Sequence, residues 1–317
     1  MTTNALNIHE LSKSYGATVQ ALDKVSLSIP TGMFGLLGPN GAGKSTLMRI
    51  IATLQEADRG SVTLDLETGD GPGGRTIDVL RERERVRRVL GYLPQEFGLY
   101  PKVPARAMLD HLALLKGISR RKERREVVNA LLRRANLWEV RDRRLGTFSG
   151  GMKQRFGIAQ AMLGDPRLIV VDEPTAGLDP EERIRFHNLL SEIGENVIVI
   201  LSTHIVEDVS QLCQQMAIID SGRVLLSCGP VEAIRRMQGQ VWRKTIDRDD
   251  EAAYEERYAV LATKLFAGRL VVRVLADAAP DPSFSEAEPT LEDVYFATIK
   301  LGRRAVSGDD AAPQVAG

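Results

Sequence analysis

The chain has only two cysteines, Cys213 and Cys228, among 317 residues. Two thiols exclude a disulfide scaffold and read as buried or free groups in a reducing compartment. Net charge is lacking as well, since 42 Lys and Arg balance 42 Asp and Glu. That total gives no footprint of nucleic acid, and none is expected as a partner. Long apolar runs are missing too. A membrane-spanning helix needs about 20 such residues in a row, whereas runs like Val197-Ile198-Val199-Ile200-Leu201 are strand-length. The opening residues, Met1-Thr2-Thr3-Asn4-Ala5-Leu6-Asn7, carry no charge and do not read as a secretory leader. There is no internal repeat and no heptad run. These absences lead to the expectation of a protein soluble by itself, whose membrane role comes through a partner. Its length suits one large α/β domain plus an appendage, or two modest domains.

Glycine, by contrast, is placed where phosphate chemistry needs it. Gly38-Pro39-Asn40-Gly41-Ala42-Gly43-Lys44-Ser45-Thr46 fits a phosphate loop: a glycine, four free positions, then Gly-Lys-Ser. A short apolar segment, Met33 to Leu37, enters it as a buried strand. Leu47 to Ala52 leaves it as the first turns of a helix. Without Cβ atoms at Gly38, Gly41 and Gly43, the backbone is free to curl and aim successive N–H groups at phosphate oxygens. The following helix points its positive end at the same anion. Lys44 is expected on the β- and γ-phosphates and the Ser45 hydroxyl on Mg²⁺. The run Gly69 to Gly74 has neither a following Lys-Ser nor an entering strand, and reads as a surface loop.

Around this loop the pattern is that of a largely parallel sheet. Leu6–Leu11 and Lys24–Ile29 suit half-buried antiparallel strands ahead of it, with His9 facing solvent, and Ser61–Leu66 suits another strand. The mixed charges of Arg81 to Arg85 suit a solvated face. A strand is expected over Val89–Leu93, closing at Pro94 and Gln95. Helical stripes follow between Pro104 and about Gly164, with Trp138 as a core anchor. Leu168–Asp172, Val197–Leu201 and Met216–Asp220 read as buried strands separated by helices over 181–193 and 205–212. Gly222–Ser227 reads as a closing edge. Beyond Gly229-Pro230 the spacing predicts helices near 231–237 and 291–301, strands at 242–246 and 270–275, and a loop or hinge at Pro280-Asp281-Pro282. The expected division is therefore 1–230 as the main domain, with a helical subdomain at about 96–164. Residues 231–302 form an accessory segment and 303–317 a disordered tail.

Two further motifs carry chemistry. Leu168-Ile169-Val170-Val171-Asp172-Glu173 places two carboxylates at the C-terminal end of a buried strand, the edge where open α/β sheets bind ligands. Asp172 is expected to support Mg²⁺, and Glu173 to take a proton from an attacking water. In Phe148-Ser149-Gly150-Gly151-Met152, Ser149 is a good helix N-cap. The two glycines after it leave backbone N–H groups open to an anion.

Taken in order, these motifs resemble those of the ATP-binding-cassette (ABC) transporter ATPases over residues 6 to about 230. The resemblance implies a P-loop NTPase core, α/β with a mostly parallel sheet. To this it adds an N-terminal antiparallel β subdomain, an inserted helical subdomain and a small C-terminal α+β extension. It implies that Tyr15 stacks on adenine and that residues 38–46 are the Walker A loop binding ATP. Gln95 becomes the Q-loop glutamine that contacts Mg²⁺ and faces a transmembrane partner. Ser149, Gly150 and Gly151 become the family signature, Asp172 and Glu173 Walker B with its catalytic glutamate, Ala176-Gly177-Leu178-Asp179 the D-loop, and His204 the switch histidine on the γ-phosphate. Phe148 and Met152 replace the usual Leu and Gln of the signature, a form associated with drug, antibiotic and polysaccharide exporters. Leu291-Glu292-Asp293-Val294-Tyr295 resembles that branch as well.

The resemblance further implies a head-to-tail pair of ATPase subunits, in which the loop of one and the Ser149 helix of the other enclose one ATP. Gln95 and residues near Phe97 to Tyr100 would pass the closing motion to a membrane permease. The implied location is cytoplasmic, peripheral on the inner face of the membrane. Two other readings compete. A soluble ABC ATPase acting on nucleic acid or ribosomes generally carries two cassettes or a long coiled coil. An importer ATPase carries a longer regulatory tail than the segment here.

Overall fold

In the computed structural model, residues 4–16, 18–67, 75–95, 98 and 100–307 are described. The chain divides into two compact units, Met1–Val224 and Leu225–Gly317. The expected glycine-rich loop at 69–74, Phe97 and Leu99, and the tail from 308 onward lie outside the described residues.

The first unit opens with strands β1 (Ala5–Tyr15) and β2 (Val19–Pro30), a long antiparallel hairpin. β3 (Gly32–Leu37) follows and is buried along its whole length. Helix α1 (Lys44–Ile51) begins inside the phosphate loop, three residues earlier than the apolar pattern predicts. Strands β4 (Arg59–Leu66) and β5 (Arg75–Asp78) complete an antiparallel sheet in the order β2-β1-β4-β5. Alternation along β1 and β4 sends Leu6, Ile8, Val62 and Leu64 into the core while His9 stays exposed, as expected. The charged run at 81–85 forms the start of α2 (Arg83–Val89), where Arg85 pairs with Glu82 and Arg83 with Glu56 at 2.8 Å.

The second sheet holds the site. Its strands are β6 (Leu90–Leu93), β7 (Leu168–Asp172), β8 (Ile198–Thr203), β9 (Gln215–Asp220) and β10 (Arg223–Cys228), with β3 in the middle of the order β10-β9-β3-β8-β7-β6. From β9 to β6 every pairing is parallel. β7 and β8 are buried at each position, so they read as unbroken apolar runs instead of alternating ones. Between β6 and β7 come α3 (Ala105–Leu115), α4 (Arg121–Arg134) and α5 (Gly150–Ala161). Helices α6 (Pro180–Ile193) and α7 (Val206–Leu212) connect the later strands.

One reading inside the helical segment is corrected. Trp138 is half-buried and packs between two guanidiniums, with Arg133 at 3.9 Å and Arg141 at 4.0 Å from the ring centroid. It is a cation–π stack and not an apolar core anchor.

The second unit contains α8 (Pro230–Arg236), β11 (Val241–Ile246), α9 (Glu251–Arg257), β12 (Val260–Phe266), β13 (Arg269–Leu275), β14 (Ser285–Glu286) and α10 (Leu291–Ser307). Its sheet runs β12-β13-β11-β14 over a small core of Ile246, Val260, Val272, Val274 and Phe284. Pro280-Asp281-Pro282 forms a turn in which Ser283 N donates to Asp281 Oδ1 at 2.8 Å. Thr290 and Asp293 make a reciprocal capping box at the start of α10. Asp293 also takes two 2.7 Å hydrogen bonds from Arg273, which pins α10 to β13. Residues 303–307 continue α10 as helix.

Candidate functional site

Parallel register brings the motifs together. β3, β8, β7 and β6 are neighbours, and their last residues are level: Leu37 stands beside Thr203, Asp172 beside Ser202, and Leu93 beside Val171. The loops that leave these four strand ends therefore emerge at one sheet edge. They carry the phosphate loop, His204, Glu173 and Gln95 in that order. A cleft of about 360 Å³ at this edge is lined by Asn40 to Thr46, Gln95, Glu173 and His204, and is flanked by Tyr15.

The phosphate loop needs its glycines for two different reasons. Gly41 and Gly43 sit at φ 82° and 104°, the left-handed region that permits the curl. Gly38 needs space instead, because a Cβ there would stand 2.3 Å from the Ile219 carbonyl of β9. Lys44 is buried within the loop. Its Nζ donates to the carbonyls of Gly38 at 2.7 Å and Pro39 at 3.1 Å and lies 3.4 Å from Glu173 Oε1. Tyr15 is half exposed, and its hydroxyl donates to Gln55 at 2.8 Å and meets Thr46 Oγ1 at 3.3 Å. That holds the ring at the mouth of the cleft.

Glu173 lies between two cleft groups. One oxygen faces Lys44 and the other is 2.6 Å from His204 Nδ1. Its backbone has φ 49°, unusual for a residue with a side chain, and its N–H donates to Ser202 O at 2.9 Å. Asp172 is buried, yet its Oδ1 has no hydrogen-bond partner among the described residues. The Ser202 hydroxyl beside it is likewise buried and unpartnered. Burial pushes the nearby Tyr92 phenol up, with the charge of Asp172 adding to it. An orphaned buried carboxylate oxygen fits a hard divalent cation, for which oxygen donors are the preferred ligands. Among the described residues no three His, Cys, Asp or Glu side chains converge as a metal cage. Magnesium ordinarily does without one, binding through one or two carboxylates plus substrate phosphates.

The Ser149-Gly150-Gly151 motif and Asp179 do not line this cleft. Ser149 caps α5 by accepting from Met152 N at 3.2 Å, and with Gly150 it is exposed. Gly151 is buried, and a Cβ there would meet Glu182 Oε2 at 2.2 Å. Asp179 is exposed and caps α6, accepting from Glu182 N at 2.8 Å.

Sequence reasoning missed two buried ion clusters behind these loops. Asp208 on α7 is fully buried, accepts from Thr175 Oγ1 at 2.6 Å and from Arg183 Nε at 2.8 Å, and meets His187 Nε2 at 2.9 Å. Burial alone would raise its carboxyl, but hydrogen bonds from His187, Thr175 and Arg183 outweigh it and hold the group below the usual carboxylate range. Thr203, just before His204, also donates to Asp208 Oδ2 at 3.4 Å, and its oxygen accepts from Ile205 N at 2.9 Å. Asp208 thus ties the loop after Glu173 to the loop of His204. The second cluster is Arg155 with Glu182, where both guanidinium contacts are 3.2 Å and a further bond reaches Asn136 O at 2.8 Å. Acidic residues in a helix after the β8 loop, or a lone Arg in α5, gave no distinguishing signal.

Comparison with known proteins gives the family. Residues 22–176 match the ABC transporter domain, which spans the phosphate loop, Gln95, the Ser149 helix and Asp172-Glu173. An ABC transporter ATP-binding protein of Bacillus subtilis (strain 168) is 31% identical over 309 residues, covering 93% of this chain and 99% of that protein. The chain belongs to the ABC transporter ATP-binding family. The Nod factor export ATP-binding protein I of Rhizobium sp. (strain N33) is 33% identical over 307 residues, 93% of this cassette chain and 97% of that protein. The linearmycin resistance ATP-binding protein of B. subtilis is 32% identical over 236 residues, 74% and 72% respectively. Among solved structures, an ATP-binding cassette captured as a dimer in a post-hydrolysis state with ADP and Pi superposes with a TM-score of 0.61. It is 26% identical, covering 71% of this chain and 98% of that one. This ABC protein is accordingly an ATP-binding and ATP-hydrolysing subunit with the P-loop fold. Among the described residues, no helix is long and apolar enough to cross a membrane.

Proposed function

We propose that this chain drives export by closing on ATP as a head-to-tail pair beneath a separate transmembrane permease, at the inner face of the membrane. The observation that carries the reading is the convergence of Lys44, Gln95, Glu173 and His204 on one cleft while Ser149 and Gly150 stay exposed outside it. A second copy is then needed to bring the Ser149-Gly150-Gly151 helix end to the triphosphate. Export is supported by relatives named for Nod factor export and linearmycin resistance.

In this reading the loop from Gly38 to Thr46, including Pro39, Asn40 and Ala42, wraps the phosphates, and Tyr15 stacks on the base. Ser45, Gln95 and Asp172 would hold Mg²⁺, whose charge neutralises the phosphate oxygens. Lys44 moves from the loop carbonyls to the β- and γ-phosphates, which releases Glu173 Oε1 to face water. Glu173 takes the proton of the attacking water, and His204, hydrogen-bonded to the other oxygen, holds that carboxylate in line. Asp179 stands at the subunit boundary. Much of the rate gain is electrostatic, from charges fixed before phosphoryl transfer begins.

The test is purification of the full chain from its own cell membranes, followed by Mg²⁺-dependent phosphate release. Co-purification of a membrane protein with several spans is expected, together with ATP-dependent dimers of the Glu173→Gln variant. Phosphate release without any dimer, or recovery with ribosomes in place of a membrane protein, would sink the exporter reading.

A further inference from the structure

The zero net charge conceals a segregated one. Between residues 101 and 144 there are thirteen Lys or Arg and five Asp or Glu. Six of the thirteen, Lys116, Arg120, Arg121, Lys122, Arg124 and Arg125, lie at one end of the α3–α4 hairpin, against two acids, Glu123 and Glu126. Arg106, Arg124 and Arg134 are paired, with Asp142 at 2.8 Å, Asp110 at 2.9 Å and Glu192 at 3.0 Å. Arg120, Arg121, Lys122 and Arg125 are exposed and form no salt bridge among the described residues. Their position does not serve the helix. They cluster around the first turn of α4, where the macrodipole favours anions, and Glu123 is the only acid there. The fold bears that repulsion, so its compensation is expected outside the chain.

Two exposed leucines end the preceding helix, Leu114 at 46% and Leu115 at 71% exposure. The turn between the helices is closed by Ile118 N donating to Ala113 O at 3.0 Å, and Arg124 Nη1 binds Ser119 O at 3.1 Å. Leucines and free cations therefore share one end of the hairpin. Exposed apolar side chains beside unpaired basic ones are the two components of binding at a membrane interface. Single-stranded nucleic acid would want open aromatic faces, but Trp138 is already clamped between Arg133 and Arg141.

We infer that this end of the α3–α4 hairpin docks on anionic phospholipid headgroups, holding the cassette against the bilayer beside its permease. The inference rests on the transporter reading above, which places the chain at a membrane. The experiment uses the full chain with extruded vesicles of phosphatidylcholine, alone or with one third phosphatidylglycerol, and measures partitioning at low and high salt. Binding is expected to the anionic vesicles only and to fall with salt. The Arg121→Gln/Lys122→Gln/Arg125→Gln variant should bind on the order of a hundredfold more weakly, since three basic residues near such a surface together contribute about 3 kcal/mol. ATP turnover of this variant without vesicles should match the parent, which shows that it folds.

Equal partitioning to neutral vesicles, or undiminished binding by the triple variant, overturns the inference. So does a variant that keeps its vesicle affinity but no longer co-purifies the membrane subunit, because the surface then belongs to a protein contact. Tighter binding to a single-stranded oligonucleotide than to anionic vesicles also overturns it. If the parent shows no Mg²⁺-dependent turnover, the transporter reading fails on that separate measurement.

Discussion

His204 Nδ1 stands 2.6 Å from Glu173 Oε2, linking the residue after β8 to the residue after β7 across neighbouring strand ends. The contact makes carboxylate and imidazole one unit: the acid fixes the ring, and the ring fixes the acid. Replacing Glu173 by Gln keeps the shape and removes the basic oxygen. ATP affinity should persist within a fewfold, while turnover falls by about 10²- to 10⁴-fold, the usual contribution of a positioned base. His204→Ala should also cut turnover, because Glu173 then lacks its orienting partner. Phosphate-release rates alongside nucleotide binding by both variants check this. Near-normal turnover in Glu173→Gln would remove Glu173 as the base.

The backbone of Glu173 supplies an independent prediction. At φ 49° a residue with a Cβ is strained by roughly 1–2 kcal/mol. Glu173→Gly and Glu173→Ala both delete the carboxylate, but only glycine relieves the strain. The glycine variant should therefore be more stable than the alanine variant by about 1 kcal/mol. Parallel urea titrations decide it, and equal midpoints would mean that the loop relaxes without help.

Much of this architecture is legible in the chain because it is local. β7 and β8 announce themselves as apolar runs, and the phosphate loop fixes both its strand and its helix. β12 escaped because its apolar residues do not share one face; Leu265 and Phe266 at its end are exposed. α9 escaped because Glu251 to Arg257 offers no apolar stripe. Asp208 and Arg155 could not be found this way, since their partners lie about twenty or more residues off and only the fold brings them together. Glu173 shows the same limit: its chemistry is readable from a strand that ends in Asp-Glu, but its backbone angle is not. The basic end of α4 is not visible in the net charge, because a balanced total says nothing of how the charges are distributed along the chain.

Acid sensitivity should trace to Asp208. Its folded pKa is depressed, so its stabilising contribution is present above the unfolded carboxylate value of about 3.9 and is lost as pH falls through that value and the lower folded one. Asp208→Asn removes the charge that Arg183 and His187 face, which should cost on the order of 3 kcal/mol at neutral pH. The same variant should flatten the acid limb of the stability profile between about pH 5 and the folded pKa. Turnover should drop too, because Thr175 and Thr203 lose the anchor that aligns the loops of Glu173 and His204. Thermal midpoints across pH, measured for parent and variant, check the sign. An acid limb unchanged in the variant would assign that sensitivity to other carboxylates.

Gly151 tests the signature helix in a way the exposed Ser149 cannot. A methyl group at Gly151 would meet Glu182 Oε2 at 2.2 Å, and Glu182 is not free to swing away because Arg155 holds both of its oxygens at 3.2 Å. Arg155 is itself buried and bonded to carbonyls of Ala135 and Asn136, which ties α5 to the end of α4. Gly151→Ala should therefore act at a distance by breaking a buried ion pair, with a stability loss of about 1–3 kcal/mol. In Glu182→Gln the neutral amide still faces Arg155, so a further Gly151→Ala should cost less there than in the parent. A double-mutant cycle measures that difference. Strict additivity would show that the alanine clashes with something other than the Glu182 carboxylate. If dimer formation with ATP also falls in Gly151→Ala while monomer nucleotide binding holds, the position of this helix end matters to closure and not to the cleft of its own subunit.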